Sequence, residues 1–231
     1  MSTKAPNPTE QKDLDIGEVY TRTELFFEKN KKALSIGITS VLLVVAGVLG
    51  YKKFIAEPKA EEARNAMWKA QYYFEVDSLD LAMNGDGNFI GFQAIVDNYS
   101  STPSGELAHF YLGSILMQKG DFQAALDHYQ EAQPDDDVLR VMAVGNQGDA
   151  LVELGRVDEA VAQFEKAAEM VNSEFTTPMY LMKAGVLHQQ KGDWKAAARA
   201  FNRVAKEFST SADAMNARKL AARAEAMAAQ G

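Results

Sequence analysis

Residues 33–51 form a stretch of nineteen residues without a charged side chain, and lysines lie on both sides of it (Lys29, Lys31, Lys32, Lys52 and Lys53). As an α-helix, this stretch would extend about 28 Å, close to the hydrocarbon core of a bilayer at about 30 Å. Within a bilayer, a single segment can satisfy its backbone hydrogen bonds only as a helix. The sequence therefore predicts a transmembrane helix over 33–51, followed by a domain of soluble composition.

A cleaved signal peptide or a buried core helix would fit the apolar stretch less well. A signal peptide would carry its apolar stretch near the N-terminus, with small residues at a cleavage site after it. Here about thirty residues come first, and Gly50, Tyr51 and two lysines end the stretch. A buried core helix would need protein on all sides, which one domain of this size can hardly supply.

The residues before the apolar stretch divide into two segments. The first fifteen are rich in Pro, Thr and charged residues, which predicts a disordered tail over 1–15. Residues 16–32 predict an amphipathic juxtamembrane helix, because apolar or aromatic side chains recur at helical spacing from Ile16 to Phe27. This segment would lie in the membrane interface, dock on a partner, or simply extend the transmembrane helix.

Charge limits the classes of partner but not the orientation in the membrane. Four basic residues lie within twenty residues before the apolar stretch and five lie within twenty after it, so the positive-inside rule gives no direction. Up to Tyr51 six basic residues balance six acidic ones, and the net charge of -8 therefore belongs to the remainder. An acidic domain argues against nucleic acid as a partner. The absence of cysteine excludes a disulfide framework and fits either redox compartment.

Three segments of the domain share fixed residue spacings around a glycine turn, at 119–122, 154–157 and 191–194. Each unit has a glycine seven residues before the turn glycine, an alanine five residues after it and an aromatic residue four further on. These residues are Gly113, Ala125 and Tyr129, then Gly148, Ala160 and Phe164, then Gly185, Ala197 and Phe201. Small residues let paired helices approach closely, and the ring would fill the gap beside the next unit.

This pattern resembles the tetratricopeptide repeat (TPR), a helix pair of 34 residues, although the usual proline near the end of each unit is absent. The resemblance implies an all-α fold, a TPR-like solenoid over 56–231 behind a single transmembrane helix. Its parts are a degenerate repeat over 60–100, repeats over 106–137, 141–172 and 178–209, and a capping helix over 212–229. In the degenerate repeat, the first helix is expected over about 60–83, and residues 84–88 form a plain turn.

Catalytic and metal-binding patterns are weak, so the chain is interpreted as a non-enzyme without cofactor, metal or small-molecule substrate. His109, His128 and His188 fall inside predicted helices and outside any metal-ligand spacing. The acidic run at 135–137 is expected to cap a helix N-terminus.

The TPR resemblance implies that selected first-helix positions line a concave surface that binds proteins. Those positions include Asp149, Val152, Val186 and Gln190, and the six residues selected as the candidate groove are Leu107, Phe110, Met117, Met142, Met179 and Met182. Methionine suits surfaces that accept varied apolar partners, although the same stripe is compatible with packing against neighbouring helices. Only Asn146 and Lys183 match the carboxylate clamp by which some such repeats hold acidic C-terminal tails, so that mode is not expected.

The layout of the whole chain, one lysine-flanked membrane helix followed by an acidic repeat domain, resembles the YfgM-like ancillary subunits of the bacterial SecYEG translocon. This resemblance implies an inner-membrane protein with a cytoplasmic N-terminus and a periplasmic repeat domain. Its partners would be the translocon, a PpiD-like periplasmic chaperone or unfolded clients, and its role would be to assist the handover of secreted proteins. The alternative is a structural scaffold subunit of another envelope complex, for secretion, division or outer-membrane biogenesis.

Overall fold

The computed structural model describes the backbone of residues 16–230 and side-chain burial from residue 24. Within this part the chain is helical and has no strand beyond an isolated bridge between Gly85 and Ile90, which confirms the all-α prediction. The predicted disordered tail over 1–15 lies outside the described residues. The α-helices are α1 (Ile16–Tyr51), α2 (Glu57–Glu75), α3 (Leu79–Asn84), α4 (Phe92–Tyr99), α5 (Pro103–Lys119), α6 (Phe122–Glu131), α7 (Asp137–Glu153), α8 (Val157–Met170), α9 (Thr176–Gln190), α10 (Trp194–Glu207) and α11 (Ala214–Ala228).

The chain divides into two compact units, Met1–Ile55 and Ala56–Gly231. The first unit contains α1, which includes the charge-free residues 33–51 and continues into a π-helical turn at Lys52–Ala56. This helical segment is long and apolar enough to cross a membrane: the mean hydropathy of its most apolar window is 2.3, and none of that window is buried.

In the second unit, consecutive helices pair through glycine turns, as the repeat spacing predicts. The turn glycines Gly120, Gly155 and Gly192 have positive φ angles of 80°, 72° and 77°. In each turn, the residue after the glycine donates its N–H to a carbonyl five residues earlier, at 2.8 to 3.0 Å. Only glycine adopts this left-handed conformation without strain, and the hydrogen bonds satisfy carbonyls that the helix end leaves free.

Within each pair, the predicted aromatic ring lies directly on the predicted first-helix glycine. A Cβ on Gly113 would come within 2.7 Å of the Tyr129 ring, one on Gly148 within 2.6 Å of Phe164, and one on Gly185 within 2.5 Å of Phe201. Each ring thus closes the gap inside its own pair rather than only beside the next unit. Phe164 also stacks on Tyr180 of the following pair, with ring centroids 6.2 Å apart.

Aspartates begin several of these helices. The Asp136 carboxylate accepts a hydrogen bond from the N–H of Leu139 at 2.9 Å and so caps α7, as the acidic run at 135–137 predicts. Asp121 and Asp193 accept comparable bonds at the start of α6 and α10. Each cap satisfies one N–H that has no partner inside the helix.

The degenerate first repeat departs from its prediction. The helix expected over 60–83 is two helices, because α2 ends at Glu75 and α3 begins at Leu79. Asp77 between them has a φ angle of 57°, and Ser78 donates its N–H to the carbonyl of Tyr73 at 2.8 Å. Aspartate tolerates the left-handed region better than most residues. Asp77 can therefore end a helix at a place where the spacing of hydrophobic residues, taken alone, predicts that the helix continues.

At the end of the chain, α11 packs on α10 through small residues. Ala217, Ala221 and Ala224 are buried, whereas Arg218 and Arg223 are exposed. The alanine face of α11 covers the last apolar surface of the repeat stack, and its exposed side carries Met215 and Met227 as well as charged residues.

Candidate protein-binding surface

The six residues predicted to form a binding groove all lie on the first helices of helix pairs. Leu107, Phe110 and Met117 are on α5, Met142 is on α7, and Met179 and Met182 are on α9. Phe110 is buried, with 9% of its surface exposed, and the other five are half-buried. Each side chain therefore contributes to packing.

The six residues are divided between two main apolar clusters rather than gathered on one surface, and Leu107 and Met182 each also pack against a further cluster. Leu107, Met117 and Met142 pack against the cluster that contains Phe110. Met117 also packs against the central cluster, as do Met179 and Met182. Met117 thus links the two groups.

A cleft of about 360 Å³ lies along the first helices α7 and α9. Its apolar lining comes mainly from Val152 of α7 and from Met182, Val186 and Leu187 of α9, with Phe164 of α8 at its base. Val186 is 39% exposed. Of the six predicted residues, only Met182 lines this cleft.

A charge pair forms the polar side of the cleft. Lys183 Nζ lies 2.7 Å and 2.6 Å from the two carboxylate oxygens of Asp149. The Lys183 ammonium also lies over the Phe164 ring, 5.3 Å from its centroid, and 5.8 Å from that of Tyr180. A ligand carboxylate would have to compete with Asp149 for Lys183.

Close contact between α7 and α9 holds the cleft in place. Tyr180 of α9 lies against Gly145 of α7, where a Cβ would overlap its ring. Burial, together with the carboxylate of Asp149, raises the pKa of the Tyr180 phenol, so this residue stays neutral. Between α6 and α7, the side-chain amide of Gln147 donates a hydrogen bond to the backbone carbonyl of Tyr129 at 2.9 Å.

Two of the three histidines meet away from the cleft. His109 of α5 and His128 of α6 place their Nδ1 atoms 3.0 Å apart, so that one ring donates a hydrogen bond and the other accepts it. Burial lowers the pKa of both rings, and the proximity of His109 lowers that of His128 further. In the part of the chain from residue 24 onward, no group of three or more His, Cys, Asp or Glu side chains is placed to hold a metal ion.

The cleft also contains residues outside the six that were selected from the sequence. Lys183, which the sequence matches to a carboxylate-clamp position, follows the same helical spacing as Val186 and Gln190, three and seven residues later, so the period of α9 places it on this side of the helix. Phe164 belongs to a second helix, and its repeat position predicts a core ring. It reaches the cleft because Gly148 has no side chain to cover it.

Comparison with known proteins shows which repeat family these helix pairs resemble. Family models described as tetratricopeptide repeat match residues 106–133 and 146–212. A TPR repeat-containing protein of Pseudomonas aeruginosa is 34% identical over 94 residues, which is 39% of this chain. The match spans 15% of that relative's own length.

Tetratricopeptide repeats typically serve non-enzymatic proteins that bind other proteins. The repeat spacing, the glycine–aromatic contacts and the family matches agree on the same part of the chain. Residues 106–133 and 146–212 of this chain are therefore similar to tetratricopeptide repeats in both sequence and helix pairing.

Proposed function

We propose that the chain is a membrane-anchored interaction subunit, an ancillary component of the Sec translocon that assists the handover of secreted proteins to periplasmic chaperones. The cleft along α7 and α9 carries the proposal, because it offers an exposed apolar surface in a repeat that serves protein binding. The protein would lie in the bacterial inner membrane with its N-terminus in the cytoplasm and its repeats in the periplasm.

The apolar segment of α1 supports the anchor. The large apolar side chains between Ile36 and Leu49 are all about half exposed or more. Exposed apolar side chains on a helix of this length are stable in lipid and unfavourable in water. Alkaline carbonate should therefore leave the full chain in the membrane fraction, and its release into the supernatant would contradict the anchor.

The cleft suits weak and varied apolar ligands. Met182 is flexible and polarizable, and Val186 presents a branched apolar side chain to solvent. Anchoring such a binder beside the exit of a translocation pore raises its effective concentration toward emerging chains without requiring high affinity. The negative charge of the repeat unit would also keep it from lying flat on anionic lipid.

A photocrosslinking amino acid at Val186 tests the proposal in intact cells. We expect Val186 to crosslink to translocon subunits, a membrane-anchored chaperone or secretory chains. The matched control is Val171, at the end of α8, which is 36% exposed and lies outside the cleft. Equal products at the two positions, or none at Val186 in membrane-retained protein, would contradict the proposal.

A second variant separates binding from folding. Val186→Asp places a charge in the cleft at an exposed position, so binding should fall while the helical circular dichroism spectrum is unchanged. Serine in place of Met142, Met179 and Met182 is a less specific test, because these side chains also pack against the core.

Stoichiometry discriminates between this function and a scaffold subunit of another envelope complex. A scaffold should co-purify with one complex at a fixed ratio and should not crosslink to secretory chains in transit. Purification from mild detergent, followed by mass spectrometry, would remove the translocon hypothesis if neither translocon nor chaperone subunits were recovered.

A further inference from the structure

Exposed aromatic side chains cluster on the first helix of the repeat unit. Among the described residues of this unit, only four aromatic side chains are more than a third exposed, and three of them lie together. Trp68 and Tyr72 of α2 are 54% and 48% exposed, and Phe89, in the loop before α4, is 43% exposed. With Glu61 and Val76, which are exposed on the same side of α2, they form what we term the N-terminal face.

The rings of the N-terminal face are held in place before any partner binds. Asp86 accepts a hydrogen bond from the N–H of Phe89 at 2.8 Å, and the hydroxyl of Tyr73 donates to its other carboxylate oxygen at 2.6 Å. Lys69 Nζ lies 4.7 Å from the ring centroid of Tyr72 and 5.7 Å from that of Phe89. A surface that is ordered in advance loses little freedom on association, which favours docking.

The last helix of the repeat unit also has an exposed stripe. Met215, Lys219, Ala222 and Ala226 of α11 are exposed and follow one another at intervals of four, three and four residues, so they lie along one side of the helix. We term this stripe, with the exposed Arg223 beside it, the C-terminal face. Helix α2 packs against α3, α4 and α5, and α11 packs against α9 and α10, each through its alanine-rich side.

The two faces lie in regions of opposite charge. Residues 57–91, which contain α2, α3 and the loop before α4, carry three basic and seven acidic side chains. Helix α11 carries three basic side chains and one acidic one. An N-terminal face therefore attracts a C-terminal face, whereas two N-terminal faces repel each other.

We propose that copies of this chain associate end to end, with the N-terminal face of one repeat unit on the C-terminal face of the next. Exposed apolar side chains on a preorganised surface mark a site that is covered in use. Each copy carries both complementary surfaces, so a second copy has the chemistry that the N-terminal face requires.

The side chains of the two faces match in kind. Lys219 of one copy pairs with the carboxylate of Glu61 in the other. The thioether of Met215 packs on the aromatic rings, a contact that sulfur favours. Ala222 is small, so the ring of Trp68 can lie flat against α11.

A contact between two different faces leaves one face of each kind free on the pair. Further copies can therefore add at both ends, and the products are rows or closed rings. A contact between two identical faces would stop at the dimer. The size of the crosslinked products thus separates the two arrangements.

A photocrosslinking residue at Tyr72 tests the contact in cells that produce the full chain. With p-benzoylphenylalanine at this position, we expect crosslinked dimers and higher multiples of the chain. Mass spectrometry should place the crosslinks within α11 of the neighbouring copy. The matched control is the same residue at Phe175, which is 70% exposed in the loop before α9 and lies outside both faces. It should give no intermolecular product with α11.

The other products contradict the proposal. Crosslinks from Tyr72 to α2 of a second copy, with no species above the dimer, would show two identical faces in contact. Crosslinks to other proteins alone, or none in a variant that keeps its helical circular dichroism spectrum, would show that a second copy does not cover this surface.

Charge reversal in the chain substituted at Tyr72 tests the complementarity. Lys219→Glu should lower the crosslinked fraction about fivefold. Adding Glu61→Lys exchanges the two signs and should restore most of the loss. Lys166→Glu, at an exposed position of α8, changes the net charge equally and should have no effect. An equal loss with Lys166→Glu, or no recovery with Glu61→Lys, would overturn the proposed contact.

Discussion

The contact between Gly145 and Tyr180 gives the sharpest test of how the repeats hold the cleft. Gly145→Ala would place a Cβ 2.0 Å from the nearest ring carbon of Tyr180, whereas ordinary contact begins at 3.4 Å. Tyr180 is 1% exposed and stacked on Phe164, so the ring cannot turn away into solvent. The helices α7 and α9 must therefore separate by on the order of 1 Å, with loss of packing around the contact.

The expected cost follows from two opposing effects. Overpacking of a rigid site costs about 3 kcal/mol at the upper end of its usual range. Replacing a helical glycine by alanine returns about 1 kcal/mol of helix propensity. Gly145→Ala should therefore lower the free energy of unfolding by about 2 kcal/mol. With a urea dependence of about 2 kcal/mol per molar, the unfolding midpoint of the full chain in detergent should fall by about 1 M.

The same substitution in a Tyr180→Leu background provides the control. Leucine lacks the outer ring atoms that meet the added Cβ, so Gly145→Ala should there be neutral or stabilising by up to about 1 kcal/mol. Circular dichroism at 222 nm during urea titration measures all four proteins. If Gly145→Ala has the same effect in both backgrounds, the steric argument is wrong.

Three further predictions concern local interactions. His109 and His128 have lowered pKa values when folded, so the unfolded chain binds more protons below about pH 6.5. The melting temperature should therefore fall as the pH is lowered from 7.5 to 5.5, and a His109→Phe, His128→Leu double variant should reduce this dependence. Asp136→Ala removes the cap of α7 and should cost about 1 kcal/mol in urea unfolding, whereas Asp135→Ala beside it should have little effect. Gly155→Ala meets no neighbouring atom, so its cost of about 1 kcal/mol should come from the left-handed backbone alone, and Gly155→Asn should cost less.

The repeat architecture could be predicted from sequence because its signals are local. The turn glycines, the aspartate before α7 and the small first-helix glycines each act within one helix pair. Their conformational and steric requirements do not depend on distant parts of the chain. The same reasoning failed at Asp77, where one predicted helix is two. Asp77 ends the first helix by adopting the left-handed conformation, and the regular spacing of hydrophobic residues continues past it unchanged.

The candidate site was only partly predictable. Helical spacing placed Met182 and Val186 on one side of α9, where both line the cleft. Whether a half-buried methionine such as Met142 faces a groove or a neighbouring helix depends on the distance between helices, which a periodic pattern does not contain. The pairing of Lys183 with Asp149 joins residues 34 positions apart, and no local pattern announces it.

The linear order of residues is thus enough to establish the helix pairs, their turns and the apolar length of α1, since propensity, capping and hydrophobicity act over a few neighbours. Folding in three dimensions decided which side chains became core and which line the cleft. Trp68 and Phe89 show why: they are 21 positions apart, and they meet where the contacts of Asp86 hold the loop before α4 against α2. Burial and pairing are properties of the assembled helices, because they depend on atoms that segments distant in sequence bring together.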